Sequence, residues 1–165
     1  MMIAAFDVHY FADGRASAGA VLFHQYTDPE PALEYVGLTD GVTQYLPGQF
    51  YRRELPCILR VVEQFNETPE EMLIDGYVML GDRPGLGKHL FEFFAGRTRV
   101  IGVAKSQYRD SFGVEVFRGE SKRPLYVTSA GVDPYTAAGR IKVMHGSHRV
   151  PALLKRVDLL ARGKV

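Results

Sequence analysis

Three acidic residues stand where a carboxylate has little ordinary work. Asp7 lies inside the apolar run AAFDV, Asp75 closes EMLID just before Gly76, and Glu54 opens a segment of helical spacing. An ionised carboxylate among apolar residues is costly unless it is paired or holds a metal. Asp75 also falls at the carboxyl end of an apolar run, where ligands of open α/β sheets collect. Each acid has a plainer reading too: a strand-end acid reaching solvent, a turn aspartate, an acid drawn to a helix N-terminus by the dipole. As a group, three oxygen donors suit Mg²⁺, with Mn²⁺ as a substitute, better than softer ions. Such an ion would activate water and neutralise charge on a cleaved phosphodiester. Lys105, just past VIGVA, is either a point charge for a phosphate or a solvated lysine beyond a strand.

Other candidates carry weaker chemistry. GLGK (85–88) lacks the full phosphate-loop pattern, and His89 beside it reads as a packing residue. Asp133 before Pro134 has the pattern of a helix cap followed by a first-turn proline. The stretch QYLPGQFYRRE (44–54) crowds aromatic rings around a Pro-Gly turn and then sets two arginines beside Glu54. Turns favour small polar residues, so this one either packs on a core edge or makes a contact of its own.

The elements that must position these residues follow from periodicity. IAAFDVHYF (3–11) and SAGAVLFHQY (17–26) flank the turn signal ADG as a hairpin, and ALEYVGL (32–38) supplies a third strand. A helix follows from Glu54, with Pro56 in its first turn, on Leu55, Ile58, Leu59, Val62 and Phe65. Residues 71–76 read as a strand, 85–95 as a helix, and 99–105, 112–119 and 124–130 as strands. Helices from Pro134 and Pro151 close the chain. This order predicts an α/β fold with a mixed sheet and helices on its faces.

The 165 residues suit one compact domain, and one cysteine, Cys57, excludes an internal disulfide or a cysteine-rich metal site. That suits a reducing cytoplasm. No signal peptide is read, and no stretch is long enough to span a membrane. The net charge of +1 hides −8 over residues 1–96 and +9 over residues 97–165. Either the basic half meets a polyanion or the halves interleave and cancel.

Five stretches in this order resemble the endonuclease V family, the deoxyinosine-directed endonucleases. They are FDVHY, YLPG with RRE, LIDG, GLGKHL and IGVAK, and the resemblance runs nearly to the end of the chain at GSHRVPALLKRVDLLARG. It implies one RNase H-like domain over residues 1–165 and Mg²⁺-dependent cleavage of the second phosphodiester 3′ to a deaminated purine, in DNA or, in some members, RNA. By position it makes Asp7, Glu54 and Asp75 the metal ligands and Lys105 a further catalytic residue. Arg53 and Lys105 would contact the substrate or its phosphates, and Tyr45, Leu46, Pro47 and Gly48 would form a wedge entering the base stack. The chain departs from the family pattern at Tyr77 and Val78, at Gly81 where a basic or imidazole residue is expected, and at Ala130–Gly131 where a late histidine is expected. Asp133 is the candidate stand-in for that histidine. The rival readings are a relative that binds modified nucleic acid but cuts poorly, and a small-molecule enzyme built on Asp75.

Overall fold

The structure is a computed structural model that describes residues 1–40 and 51–165. Its main sheet has seven strands, placed in the order β3-β2-β1-β4-β7-β9-β8. β1 (Ile3–Tyr10), β2 (Ala16–Phe23) and β3 (Leu33–Thr39) form an antiparallel meander. β4 (Glu71–Asp75) joins β1 in parallel, and β7 (Arg99–Ala104) joins β4 in parallel. β9 (Leu125–Ala130) and β8 (Val114–Val116) finish the sheet antiparallel. The α/β architecture with a mixed sheet is therefore the one expected from the sequence.

Side chains alternate across a strand, so each central strand feeds two cores. Ile3, Ala5, Leu73, Ile101 and Val103 pack with α3 (Pro134–Lys142) and α4 (Ala152–Ala161). Ala4, Phe6, Met72, Ile74 and Val100 pack with α1 (Tyr51–Val62) and α2 (Leu86–Phe93). Each fully buried Leu, Ile or Phe in these layers contributes about 1.5–3 kcal/mol.

Three local details differ from expectation, and the charge asymmetry falls between its two readings. Tyr51 and Arg52 are already helical, so Pro56 sits inside α1 rather than in its first turn. Its ring removes one helical hydrogen bond, on an exposed face. β8 keeps only three of the eight residues read as a strand, because Gly113 and Gly119 flank it. Residues 79–84 form a small hairpin of β5 (Met79–Leu80) and β6 (Arg83–Pro84), turned at Gly81 with φ +64°. The charge asymmetry is offset by cross-pairing: Arg99 and Arg140 meet Glu71, Lys105 meets Asp75, and Arg156 meets Glu34. The halves interleave in the sheet, and four cations of the basic half, Arg99, Lys105, Arg140 and Arg156, are paired with acids of the other half. Among the described residues no helix is long and apolar enough to cross a membrane.

Candidate active site

The register of the parallel strands sets the site. Ile3 pairs with Glu71, Ala4 with Met72 and Ala5 with Leu73. Carried two residues further, that offset brings Asp7 level with Asp75, and Asp75 in turn pairs with Val103 of β7. Lys105 follows two residues later, so period-two alternation turns Asp7, Asp75 and Lys105 toward the α4 side of the sheet. The β1–β4 ladder stops at Ala5–Leu73, so the two strands part where the carboxylates begin. A cavity of ≈ 30 Å³ between them is lined by Asp7, Asp75, Lys105, Leu154 and Val157.

Glu54 reaches this edge from the first turn of α1, on the opposite face. The three acids act on one another. Burial, then the charge of Asp75, pushes Asp7 up to about 7. Burial, then the charges of Asp75 and Asp7, pushes Glu54 up to about 8. Asp75 is raised by burial as well, with Lys105 drawing it back down. The Lys105 ammonium stands 3.8 Å from the Asp75 carboxylate, with both side chains about half exposed (49% and 48%), so water screens that attraction.

A fourth carboxylate faces the cluster that sequence reading missed. Asp158 on α4 adds negative charge next to both Asp7 and Asp75. Burial would raise Asp158, but Arg162 at 2.9 Å, a hydrogen bond with the Asp7 side chain and Lys155 at 3.5 Å hold it below the usual carboxylate range. Its approach depends on Gly19, the antiparallel partner of Asp7. A Cβ on Gly19 would stand 3.0 Å from the Ala161 nitrogen and 3.1 Å from the Val157 carbonyl oxygen, so α4 lies directly on the β2 backbone. The one usable signal in the sequence was an acid following Val157 in an otherwise apolar-spaced helix.

Asp133 does not take the late position. Its carboxylate caps α3 by accepting the Thr136 N–H at 2.9 Å. Ala130 pairs with Val100 at the start of β7, the sheet edge opposite Asp75, so Asp133 lies far from the acids. Its plain capping reading is the correct one, and it does not stand in for a late histidine beside the acids. Arg53 lays its guanidinium 3.7 Å over the Tyr10 ring, beside Glu54. His89 stacks on Tyr51 with ring centres 3.7 Å apart, a packing role as expected. Tyr45, Leu46, Pro47 and Gly48 lie outside the described residues.

A second pocket, of ≈ 270 Å³, opens from the acids and is lined by Glu54, Asp75, Tyr77, Leu86, Gln107 and Tyr108. The start of α2 forms part of its surroundings but offers no anion seat. The Gly85 and Lys88 N–H groups donate to the Val78 carbonyl at 2.9 and 3.2 Å, and the Gly87 N–H donates to that of Tyr77 at 3.4 Å. That arrangement disposes of GLGK as a phosphate loop.

The donor chemistry fits a hard divalent cation: every candidate ligand is a carboxylate, and Asp7 and Glu54 are crowded enough by like charge and burial to be pushed well above the usual carboxylate range. As the side chains stand, no three His, Cys, Asp or Glu among the described residues converge on one point. The fit is therefore one of charge and donor type, at a site whose strands splay apart.

The sequence profile of the Endonuclease V family matches residues 1–140. Endonuclease V of Alkalilimnicola ehrlichii is 24% identical over 183 residues, covering 99% of this chain and 81% of that protein. Among solved structures, endonuclease V from Streptomyces avermitilis superposes with a TM-score of 0.81 at 23% identity, covering 99% of this chain and 80% of that one. Ciona intestinalis endonuclease V, in complex with a 24-mer DNA containing an inosine followed by a ribo-adenosine, gives 0.80 at 18% identity, with 99% and 84% covered. These likenesses establish the RNase H-like fold of the mixed sheet.

Proposed function

The chain belongs to the endonuclease V family, and on that premise we propose that it is a Mg²⁺-dependent endonuclease that cuts a phosphodiester 3′ to a deaminated base in nucleic acid. The observation that carries this reading is the level placement of Asp7 and Asp75 on adjacent parallel strands, with Glu54 brought over from the other face. A run of like charges at a strand edge has a use when a polyanion and its counter-ion meet there.

Asp7, Glu54 and Asp75 would hold the cation, with Asp158 adding charge behind Asp7. When bound, the ion supplies positive charge that stabilises the phosphoryl oxygens as negative charge builds on them. The chain's own groups do the rest. Lys105, half exposed beside Asp75, meets a phosphate as a point charge. Arg53, in the first turn of α1, is held in place by the Tyr10 ring, where a strand backbone would pass. The pocket beside Asp75 takes the flipped base, which an enzyme must draw out of the stack to read. DNA is the first substrate to try, because the Ciona relative was solved with inosine-containing DNA.

The test is a nicking assay over inosine, xanthine, uracil and abasic sites in DNA and RNA, with Mg²⁺ and with Mn²⁺. Wild-type protein should nick an inosine strand, and Asp7→Ala and Asp75→Ala should each abolish that nicking. Robust cutting by both variants would remove the metal-site assignment. Salt-sensitive retardation of the inosine strand with no nick in either ion would replace catalysis by binding alone.

A further inference from the structure

The pocket beside the acids has one wall of irregular chain, Ser106–Tyr108, directly after Lys105. Its end is strained: Arg109 has φ +46°, a left-handed conformation that side chains other than glycine adopt at a cost. A wall of that kind keeps its place only if something holds it. The holder is Tyr77, 6% exposed and rooted on the opposite side of the pocket. Its hydroxyl donates to the Ser106 carbonyl at 3.1 Å and accepts the Tyr108 N–H at 3.2 Å. Its own backbone carbonyl is fixed by the first turn of α2, through the Gly87 N–H at 3.4 Å. The next residue is pinned as well, with the Val78 N–H donating to Thr128 Oγ1 at 3.0 Å. The tyrosine ring therefore links two segments that line the pocket, the start of α2 and Ser106–Tyr108, as a strut of fixed length.

Resting on the reading that this pocket takes the flipped base, we propose that Tyr77 is a positioning residue that sets the pocket's width and so its selectivity for a flat purine lacking an exocyclic amine. Leu80 and Leu86 line the pocket near the backbone that anchors Tyr77, and Gln107 and Tyr108 line it near the partners of the Tyr77 hydroxyl. Gln107 carries both a donor and an acceptor for a base edge, and it can read that edge only at the spacing the strut imposes. Removing the hydroxyl keeps the ring but releases the wall. The acids, Lys105 and the cutting chemistry are untouched.

The variant is Tyr77→Phe, compared with wild type in three measurements. Single-turnover cutting of inosine and adenosine strands gives the preference ratio. Anisotropy in Ca²⁺ gives binding of the same strands without cutting. Hydrogen exchange at the Tyr108 amide reports the wall directly. Loss of two hydrogen bonds should lower the inosine preference about tenfold, through KM and binding, while kcat on the inosine strand stays within about twofold. The Tyr108 amide should exchange faster in the variant. An unchanged preference ratio with an unchanged Tyr108 amide overturns the strut, as does an equal loss of kcat on both strands, which a merely structural role would give. A wild type with no base preference in cutting or binding overturns the proposed function instead. In that case the amide measurement alone decides whether Tyr77 holds the wall.

Discussion

β4 begins and ends on a carboxylate, and the two are treated in opposite ways. Glu71 at its start is fully buried yet fully answered: Arg99 Nε donates to it at 2.7 Å, Tyr26 donates at 2.6 Å, and Arg140 completes the set. Asp75 at its end is half exposed, shares one distant lysine, and stands among Asp7, Glu54 and Asp158. One edge of the sheet closes its charge account internally. The other gives Asp158 and Asp75 cations of their own but leaves Asp7 and Glu54 so poorly answered that they hold their protons, which an incoming cation could replace. Burial of an ion is compatible with a purely structural role when the partners are built in, and points to function when they are not.

Exchanging charge for neutrality at each end should separate the two roles. Asp75→Asn should lower Mg²⁺-dependent nicking by about a thousandfold or more, in line with the loss of a group aimed at transition-state charge. It should leave the metal-free melting temperature unchanged or raised, because a repelled carboxylate is gone. Glu71→Ala should do the reverse. It strands Tyr26 and two arginines and costs about 3 kcal/mol, softened because both arginines can turn to water. Nicking at a temperature where the variant is still folded should stay within about threefold of wild type. Denaturant melts and nicking rates on both variants check this, and an Asp75→Asn protein that loses stability as Glu71→Ala does would erase the contrast.

The two edges were not equally legible. Asp7, Asp75 and Lys105 stood out because each breaks or ends an apolar pattern, and Glu54 because it opens a helical one beside two arginines, all local signals. Their convergence rests on strand order, which periodicity did not give; it was implied only by the resemblance to the endonuclease V family. The Glu71 network was invisible, since a glutamate opening an apolar strand reads as a solvated boundary. Its partners Tyr26, Arg99 and Arg140 lie 45, 28 and 69 residues away in sequence. Asp158 was missed for a related reason. An acid on an amphipathic helix is ordinary, and nothing local says that Gly19 lets that helix sit against β2. The misplacement of the late position at Asp133 came from reading chain order without the antiparallel return of β9, which puts Ala130 at the wrong edge.

Acidity offers a third, milder way to sharpen the comparison. Asp7 moves from 3.8 to about 7, and Glu54 from 4.5 to about 8. Both folded-state values lie above the unfolded ones, so the folded chain holds these protons more tightly. The stabilisation they give is complete below about pH 4 and is lost as pH rises toward 7 and 8. Metal-free protein in chelator should therefore melt several degrees lower at pH 8.5 than at pH 5.5. Mg²⁺ should raise the melting temperature at pH 8.5 and do little at pH 5.5, where protons compete for the same oxygens. An Asp7→Asn, Glu54→Gln double variant should flatten both effects. A melting temperature that rises with pH in chelator would mean that the acids are already balanced, as Glu71 is.

The smallest perturbation is Gly19→Ala, one methyl group between β2 and α4. Gly19 has no need of its conformational freedom, and its role is closeness: the added Cβ would sit 3.0–3.3 Å from the backbone of Ala161 and Val157. Backbone cannot swing aside as a side chain can, so α4 must shift outward by a few tenths of an ångström. Mild overpacking of this kind costs about 1 kcal/mol, which for a chain of this size lowers the melting temperature by roughly 2–4 °C. The shift also carries Asp158 away from Asp7, and nicking should fall by several-fold at temperatures well below melting. Leu159→Ala, on the same helix but lining a separate surface pocket with His148 and Lys155, should cost comparable stability without that loss. If both variants lost stability and neither lost activity, Asp158 would belong with Glu71 among the charges that the fold has already answered, and the active edge would rest on Asp7, Glu54 and Asp75 alone.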